Sequence, residues 1–127
     1  MSNNLDIGKQ GEEIACRFII KKGYEIIERN HRERSDEIDI IAKSAEGLLI
    51  FIEVKTLASE FVDPLRKLIP EDNLTSDKLR KLKRASQIFV GKYPHLVHPV
   101  LGWQIDLIAL SINREGDVFS VNHYENI

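Results

Sequence analysis

The sequence has one cysteine, no long apolar run and no large excess of charge, and each absence excludes a class of protein. A single cysteine, Cys16, excludes an internal disulfide and is typical of a reducing compartment. No apolar run approaches the ~20 residues that a membrane span needs, and residues 1–6 lack the basic and apolar regions of a signal peptide. We therefore expect a cytoplasmic protein that does not contact a membrane.

The charged residues are nearly balanced in number but are not spread evenly along the chain. With 18 Lys and Arg against 20 Asp and Glu, the formal net charge is −2, whereas proteins that bind nucleic acid non-specifically are usually basic overall. Two groups concentrate positive charge: Arg29, His31, Arg32 and Arg34 form the first, and Lys78, Arg80, Lys81, Lys83 and Arg84 form the second. Each group is either a solvated surface, which is the commoner case on a helix, or a surface that contacts phosphates.

Length and composition predict one domain spanning residues 1–127. The chain contains 43% apolar and 30% charged residues, as soluble domains do, and it is long enough to bury a substantial core. It has no internal repeat, low-complexity tract or linker. The stretch Leu57–Leu74, which contains Pro64 and Pro70, predicts an irregular loop within this domain rather than a second domain.

The predicted elements follow the order αβββαββ. A first helix is expected from Asp6, a suitable cap, to Gly23, and Gly8 and Gly11 inside it indicate close approach of another backbone segment or a ligand. Strands are expected at Tyr24–Asn30, Glu37–Lys43, Leu48–Thr56, Val100–Ile112 and Val118–Tyr124, a polar loop at His31–Asp36, and a second helix from a cap at Thr75 or Ser76 to Gly91 and Pro94. This order predicts an α/β protein with a mixed sheet flanked by helices.

The second and third strands form a predicted hairpin with a clear register. A turn centred on Glu46 places Lys43 opposite Leu49 and Asp39 opposite Glu53. The same register pairs Ile41 with Phe51 and Glu37 with Lys55. Because side chains alternate along a strand, one face is then wholly apolar, and it consists of Ile38, Ile40, Ala42, Leu48, Ile50, Ile52 and Val54. A slip of one residue would destroy this separation, so the pattern supports the register.

The far end of the other face combines two carboxylates with a lysine. Asp39 and Glu53 would face each other with Cβ atoms roughly 5 Å apart, where two like charges are destabilising. A Mg²⁺ or Mn²⁺ ion would offset that repulsion because both ions prefer oxygen ligands. Lys55 follows on the same face, where an ammonium either stabilises charge that develops on a phosphate or helps to position an attacking water. The three residues therefore predict a metal-dependent site for phosphodiester hydrolysis.

A plain structural interpretation of the same residues stays open at this point. Glu37 and Lys55 would form a cross-strand ion pair, and Asp39 and Glu53 would be solvated residues at a sheet edge. Against this interpretation, the acids stand in mid-strand among Ile, Phe and Val, where surface acids are uncommon. Asp106, within the apolar strand near the C-terminus, either faces the same site or is a structural acid.

Several motifs, taken together, resemble a known family. Asp39 followed by Glu53-Val54-Lys55 is similar to the PD-(D/E)XK nuclease signature without its Pro. The wider match is to the YraN-like family of uncharacterised proteins, predicted endonucleases that are similar in fold to archaeal Holliday-junction resolvases. The matching segments are Gly8-x-x-Gly11-Glu12-x-x-Ala15, Gly23-Tyr24, Arg29-Asn30-x-Arg32, Glu37-Ile38-Asp39-Ile40-Ile41-Ala42, Phe51-Ile52-Glu53-Val54-Lys55-Thr56, Lys78 and Ile105-Asp106-Leu107.

This resemblance implies a restriction-endonuclease-like αβββαβ core, an extra C-terminal strand and a Mg²⁺ site. It implies that Asp39 and Glu53 are metal ligands, that Lys55 is catalytic, and that Glu12 of the first helix joins the metal site. The departures from the family pattern are Asp36 and Val62 in place of Gly, and Leu57 and Gln104 in place of Arg.

The leading hypothesis is a Mg²⁺-dependent endonuclease that hydrolyses phosphodiester bonds in DNA, including branched DNA. Glu37 would lie next to the metal ligands without binding the metal itself. The DNA backbone would contact Arg29, Arg32, Lys78, Arg80, Lys81, Lys83 and Arg84. A homodimer is compatible with this hypothesis. Two alternatives keep the fold without the chemistry: a degenerate member that binds nucleic acid without cutting it, and a protein-interaction module that docks through the 57–74 loop.

Overall fold

The computed structural model describes residues 4–58, 74–113 and 115–127, which form a five-stranded mixed sheet flanked by helices. The helices are α1 (Asn4–Lys21) and α2 (Ser76–Lys92), and a 3₁₀ turn follows at Pro94–Leu96. The strands are β1 (Glu25–Glu33), β2 (Asp36–Lys43), β3 (Leu49–Ala58), β4 (Trp103–Ile112) and β5 (Val118–Tyr124). They lie side by side in chain order, with β3 and β4 parallel and the other neighbours antiparallel. The predicted mixed sheet is confirmed.

Helix α1 ends where the sequence predicted, through a glycine cap. Gly23 has a φ of +91° and donates its N–H to the carbonyl of Ile20 at 2.9 Å, and the next N–H donates to the carbonyl of Ile19 at 3.0 Å. These two bonds form a Schellman motif, which satisfies carbonyls left over at a helix end. The predicted start at Asp6 is wrong, because the helix already begins at Asn4.

Gly11 allows α1 to lie close against β3. A Cβ built on Gly11 would lie 1.8 Å from Thr56 Oγ1, which close-packed atoms do not tolerate. The sequence indicated close approach of another backbone segment or of a ligand, whereas the neighbour at Gly11 is the Thr56 side chain. At Gly8, none of the described residues comes within 4 Å of such a Cβ, so no packing contact with them explains this glycine.

Strand β1 is longer than predicted and leaves only a tight turn before β2. The sequence predicted a polar loop at His31–Asp36, whereas strand pairing continues as far as Glu33 opposite Asp36. The turn consists of Arg34, with a φ of +56°, and Ser35. Because β1 is an edge strand of the described sheet and most of its residues are exposed or half-buried, it lacks the apolar alternation that identifies a strand in sequence.

The β2–β3 hairpin confirms the predicted register near its turn. The paired residues run from Lys43 opposite Leu49 to Ile40 opposite Ile52. Gly47 in the turn has a φ of +98°, a backbone conformation that favours glycine. Alternation and turn chemistry therefore predicted these pairs correctly.

The predicted register is wrong beyond those pairs. Asp39 and Glu53 are not strand partners, and neither are Glu37 and Lys55. Strand β2 instead stays paired with β1 back to its first residue, while β3 stays paired with β4 to its last residue. Strands β2 and β3 therefore separate at this end, and the sheet opens between them.

Each face of the sheet packs against one helix in a separate apolar core. The α1 core contains Ala15, Cys16, Ile19, Ile40, Ala42, Ile50, Ile52, Ile108, Leu110 and Ile112. The α2 core contains Ile38, Ile41, Leu49, Phe51, Leu82, Ala85, Phe89 and Ile105. The predicted apolar face is confirmed except at Ile38, which packs on the α2 side, so strict alternation fails at Asp39.

Strand β4 is central and buried, as predicted, but it begins later than predicted. Val100 and Leu101 lie in an exposed turn before it, and Gly102 of that turn has a φ of +73°. The strand then pairs with β3 on one side and β5 on the other. Residues 105–112 are consequently buried.

Helix α2 begins at a predicted cap. Thr75 Oγ1 accepts a hydrogen bond from the backbone N–H of Lys78 at 3.1 Å, which satisfies a free donor of the first turn. The predicted Leu57–Leu74 loop falls mainly on residues 59–73, which lie outside the described residues, and its first two positions belong to β3. Neither described helix is long and apolar enough to cross a membrane.

Candidate active site

The opening between β2 and β3 brings together the acids that the sequence singled out. Two open clefts meet there, and Asp39, Glu53 and Lys78 line both of them. The α2 cleft, of about 490 Å³, is also lined by Asp36, Glu37 and Lys81. The α1 cleft, of about 420 Å³, is also lined by Lys9, Glu12 and Lys55.

Asp39 is held by the backbone of β3. Its Oδ2 accepts a hydrogen bond from the Val54 N–H at 2.8 Å, just beyond the last hairpin pair. Burial, and then the negative charge of Glu53, raise the pKa of Asp39 from 3.8 to about 7, although the Val54 bond acts in the opposite direction. A half-buried carboxyl with such a pKa in a cleft is typical of a functional site.

Glu53 is the more buried acid, and its charge is paired. Its side chain is 9% exposed, and Lys78 Nζ lies 2.8 Å from its Oε1. The hydrogen bond to Glu53 raises the pKa of Lys78, so the lysine stays charged at neutral pH. The sequence predicted that Lys78 contacts phosphate; its contact with Glu53 was not predicted.

Lys55 and Glu12 complete the α1 cleft from β3 and α1. The Glu12 side chain is 17% exposed and accepts a long hydrogen bond from Arg29 Nη2 at 3.4 Å. The negative charge of Glu12 also helps to raise the pKa of Asp39. The structure thus brings all four predicted catalytic residues, Asp39, Glu53, Lys55 and Glu12, to one cleft.

The donor atoms of the α1 cleft suit a hard divalent cation. Asp39, Glu53 and Glu12 offer carboxylate oxygens, the ligands that Mg²⁺ and Mn²⁺ prefer. Burial, and then the charges of Glu53 and Glu12, raise the pKa of Asp39, and a bound cation would offset the repulsion between these acids. These three acids therefore offer the type of donor atom that the predicted metal needs. Among the described residues, however, their oxygens do not form a cluster within 4.8 Å, as the ligand atoms of Asp106, His123 and Glu125 do.

Glu37 and Asp36 border the α2 cleft at the start of β2. The Glu37 side chain is 40% exposed and lies 3.5 Å from Arg32, rather than facing Lys55. Asp36, which sequence reasoning did not select, accepts a hydrogen bond from Arg84 Nη2 at 2.8 Å. One feature of the sequence could have pointed to Asp36: the YraN-like family commonly has a glycine at this position.

The basic residues predicted to contact nucleic acid lie in three places. Lys78 and Lys81 line the α2 cleft, Arg80, Lys83 and Arg84 line a separate depression on α2, and Arg29 and Arg32 lie on β1. Their ion pairs are Arg29 with Glu12 and Glu13, Arg32 with Glu37, Lys78 with Glu53, Arg80 and Lys81 with Asp77, and Arg84 with Asp36. The pairs made to Asp77 and Glu37 are exposed on both sides, and such pairs are weak, so they leave Arg32, Arg80 and Lys81 available to a phosphate. Glu53 and Asp36 are largely buried.

Asp106 is a structural acid, which settles the alternative that the sequence left open. Its Oδ1 accepts hydrogen bonds from Gln104 Nε2 and the Asn126 N–H, both at 2.9 Å. Its Oδ2 lies 2.8 Å from His123 Nε2. Asp106 is fully buried and lines neither of the two clefts. It joins β4 to β5 and to the C-terminal residues.

The same network contains a group of side chains with the spacing of a metal site. Asp106, His123 and Glu125 place one potential ligand atom each within 4.8 Å of the others. Lys22 Nζ, however, lies 2.9 Å from the other ring nitrogen of His123, and an ammonium there repels a cation. The group is therefore better described as a hydrogen-bond network.

Comparison with known families identifies the chain. The family described as "Uncharacterised protein family UPF0102" matches residues 11–110, which include the four predicted catalytic residues and Lys78. The chain belongs to the UPF0102 family. This membership confirms the resemblance to the YraN-like proteins.

UPF0102 proteins of known sequence align with nearly the whole chain. One from Desulforamulus reducens is 32% identical over 94% of this chain and 93% of its own length. One from Caldicellulosiruptor saccharolyticus is 34% identical over 98% of both chains, and one from Chlorobium phaeobacteroides is 40% identical over 83% of this chain and 76% of its own. The UPF0102 description assigns no activity.

Among solved structures, the UPF0102 chain has a distant likeness to SfsA of Pyrococcus furiosus, described in complex with Ca²⁺. The two are 14% identical with a TM-score of 0.36, and the match covers 94% of this chain and 64% of that one. A likeness at this level does not define a shared fold.

Proposed function

We propose that this UPF0102 protein is a restriction-endonuclease-like, metal-dependent nuclease that hydrolyses phosphodiester bonds in DNA. The observation that carries the proposal is the separation of β2 from β3, because Asp39, Glu53, Lys55 and Glu12 all border the α1 cleft beside it. Carboxylates, one of them with a raised pKa, and an adjacent ammonium are the groups that this chemistry needs.

Each group has a role that follows from its chemistry. Asp39, Glu53 and Glu12 would hold Mg²⁺ or Mn²⁺ through carboxylate oxygens. The bound ion would supply an activated water and polarise a phosphoryl oxygen. The Lys55 ammonium stabilises the negative charge that grows on the phosphate as the water attacks, and the Val54 N–H keeps Asp39 oriented.

The surroundings of the acids support a nucleic-acid substrate. Both clefts are open and adjoin each other at the acids, which suits a long strand better than an enclosed small molecule. Lys78 and Lys81 in the α2 cleft, with the depression further along α2, supply cations for backbone phosphates. Because such contacts release counterions, DNA affinity should fall steeply as salt is raised.

Cleavage of a panel of DNAs tests the proposal. Branched, single-stranded and duplex DNA are incubated with the protein in Mg²⁺, in Mn²⁺ and in EDTA. We expect metal-dependent product from at least one DNA, and a loss of about 10²-fold or more for Glu53→Gln. Glu46→Gln, in the exposed turn of the same hairpin, is the matched control and should cleave like the wild type. Product formation that is equal in Glu53→Gln and wild type would refute the assigned site.

A second candidate function, nucleic-acid binding without cleavage, is favoured by two observations. Lys78 already neutralises Glu53 at 2.8 Å, so the acid has a counter-charge without metal, and the α2 depression contains none of the acids. Salt-sensitive DNA binding that is unchanged in Glu53→Gln, with no product from any substrate, would establish this alternative.

A further inference from the structure

Lys78 is anchored in α2 and reaches into the acidic site. Its backbone N–H donates to Thr75 Oγ1 at 3.1 Å, which fixes the base of the side chain in the first turn of the helix. Its ammonium lies 2.8 Å from Glu53 Oε1. Because Lys78, Glu53 and Asp39 line both clefts, the ammonium stands where the clefts meet.

We propose that the Lys78 ammonium is the built-in counter-ion of the metal-free site and competes with a divalent cation for Glu53. The proposal rests on the nuclease function proposed above, because it takes Glu53 as a metal ligand. Two cations at one buried carboxylate repel each other strongly. Metal binding and release of Lys78 are therefore a single exchange of cations.

The burial of the two partners suits such an exchange. The Glu53 side chain is only 9% exposed, so its charge needs a cation whether or not metal is bound. The Lys78 side chain is 53% exposed, and a lysine on its flexible stem moves its ammonium into solvent at little cost. The glutamate thus stays in place while its counter-ion changes.

The exchange links metal to substrate. Once displaced, the ammonium has lost its Glu53 partner but stays tethered to α2 at the edge of the clefts, where a backbone phosphate would be its new counter-ion. Bound metal would thereby make a cation available to DNA, and bound DNA would favour metal by the same factor, because such coupling is reciprocal.

Calorimetric titration with MnCl₂ alone tests the exchange. Lys78→Met removes the ammonium, and we expect Mn²⁺ to bind it about tenfold more tightly than the wild type, as the loss of a charge-assisted competitor implies. Lys78→Gln is a second neutral variant with the same expectation. Lys78→Arg keeps the charge and should bind Mn²⁺ like the wild type.

Lys81→Met is the matched control. Lys81 is one turn further along α2 and lines the same α2 cleft, but it pairs with Asp77 at 3.4 Å. Lys81→Met removes one positive charge from the α2 cleft, as Lys78→Met does, but leaves the counter-ion of Glu53 in place. The Mn²⁺ affinity should therefore stay within about threefold of the wild type. Thermal melting establishes that each variant is folded.

The outcomes separate this inference from the proposed nuclease function. Tighter Mn²⁺ binding by both neutral Lys78 variants than by the wild type supports the exchange. The same conclusion holds if the wild type binds Mn²⁺ too weakly to measure and the two variants bind it measurably. Equal or weaker binding by those variants overturns the exchange and leaves the metal site standing. Absence of Mn²⁺ binding in the wild type and in every Lys78 variant overturns both.

Discussion

Replacing Lys55 by methionine should lower the rate of DNA cleavage by about 10²- to 10³-fold, as the loss of one group that stabilises transition-state charge does. Lys55 is half-buried and lines the α1 cleft with Asp39 and Glu53. Its ammonium acts on charge that grows during the reaction, so its loss should lower kcat much more than it changes Mn²⁺ affinity. Single-turnover cleavage with saturating metal measures the effect.

Lys9→Met provides the control for that experiment. Lys9 lines the same cleft but lies on an exposed part of α1, outside the nuclease-like signature. Its replacement removes the same charge and should change cleavage by no more than about threefold, as a screened surface charge does. Equal losses in the two variants, or a wild-type rate for Lys55→Met, would show that Lys55 has no catalytic role.

Replacing Asp39 by asparagine should stabilise the metal-free protein while it removes a ligand of the proposed metal site. The pKa of Asp39 is raised from 3.8 to about 7 by burial and by the charge of Glu53. The folded chain therefore keeps a proton that the unfolded chain releases, and stability falls as pH rises between those two values. Above pH 7 the folded protein bears the full free-energy cost of an ionised Asp39 carboxylate. Asparagine carries no charge and avoids this cost, while its side-chain oxygen still accepts a hydrogen bond from the Val54 N–H.

Denaturant unfolding in EDTA measures this prediction at about pH 8, above the titration window. We expect Asp39→Asn to raise the free energy of unfolding by about 1–3 kcal/mol, at ~1.4 kcal/mol per pKa unit less a discount for partial exposure. Added Mn²⁺ should raise the melting temperature of the wild type but not that of the variant.

Asp36→Asn is the matched control on the same strand. The Asp36 side chain is 10% exposed and pairs with Arg84 at 2.8 Å, so the same substitution there should lower stability. An Asp39→Asn protein that is less stable than the wild type in EDTA would show that Asp39 is a structural acid without electrostatic strain.

The β2–β3 hairpin shows how far sequence reasoning reaches into the fold. The register from Lys43–Leu49 to Ile40–Ile52 follows from alternation and from Gly47 in the turn. The point at which the pairing ends cannot be predicted in this way. It depends on the hydrogen bond from the Val54 N–H to the Asp39 side chain, which the periodicity of the sequence does not encode. The opening that forms the site is therefore the part of the hairpin that sequence predicted wrongly.

The sequence predicted residues that line the candidate site, but it did not predict the contacts between them. The signature picks out Asp39, Glu53 and Lys55, because their types and spacing carry the chemistry. The Lys78–Glu53 pair depends on how α2 docks on the sheet, and the two residues lie on elements far apart in sequence. The packing of a helix against a sheet is determined by tertiary contacts, which local sequence patterns do not specify.

Calorimetric titration of Mn²⁺ into the metal-free wild type, Asp39→Asn and Glu53→Gln tests the central claim, that these two acids hold a divalent metal. It needs no knowledge of the DNA substrate. The account predicts saturable binding by the wild type and no measurable binding by either folded variant, because each loses a carboxylate ligand. Binding of Mn²⁺ to both variants with wild-type affinity would contradict the account.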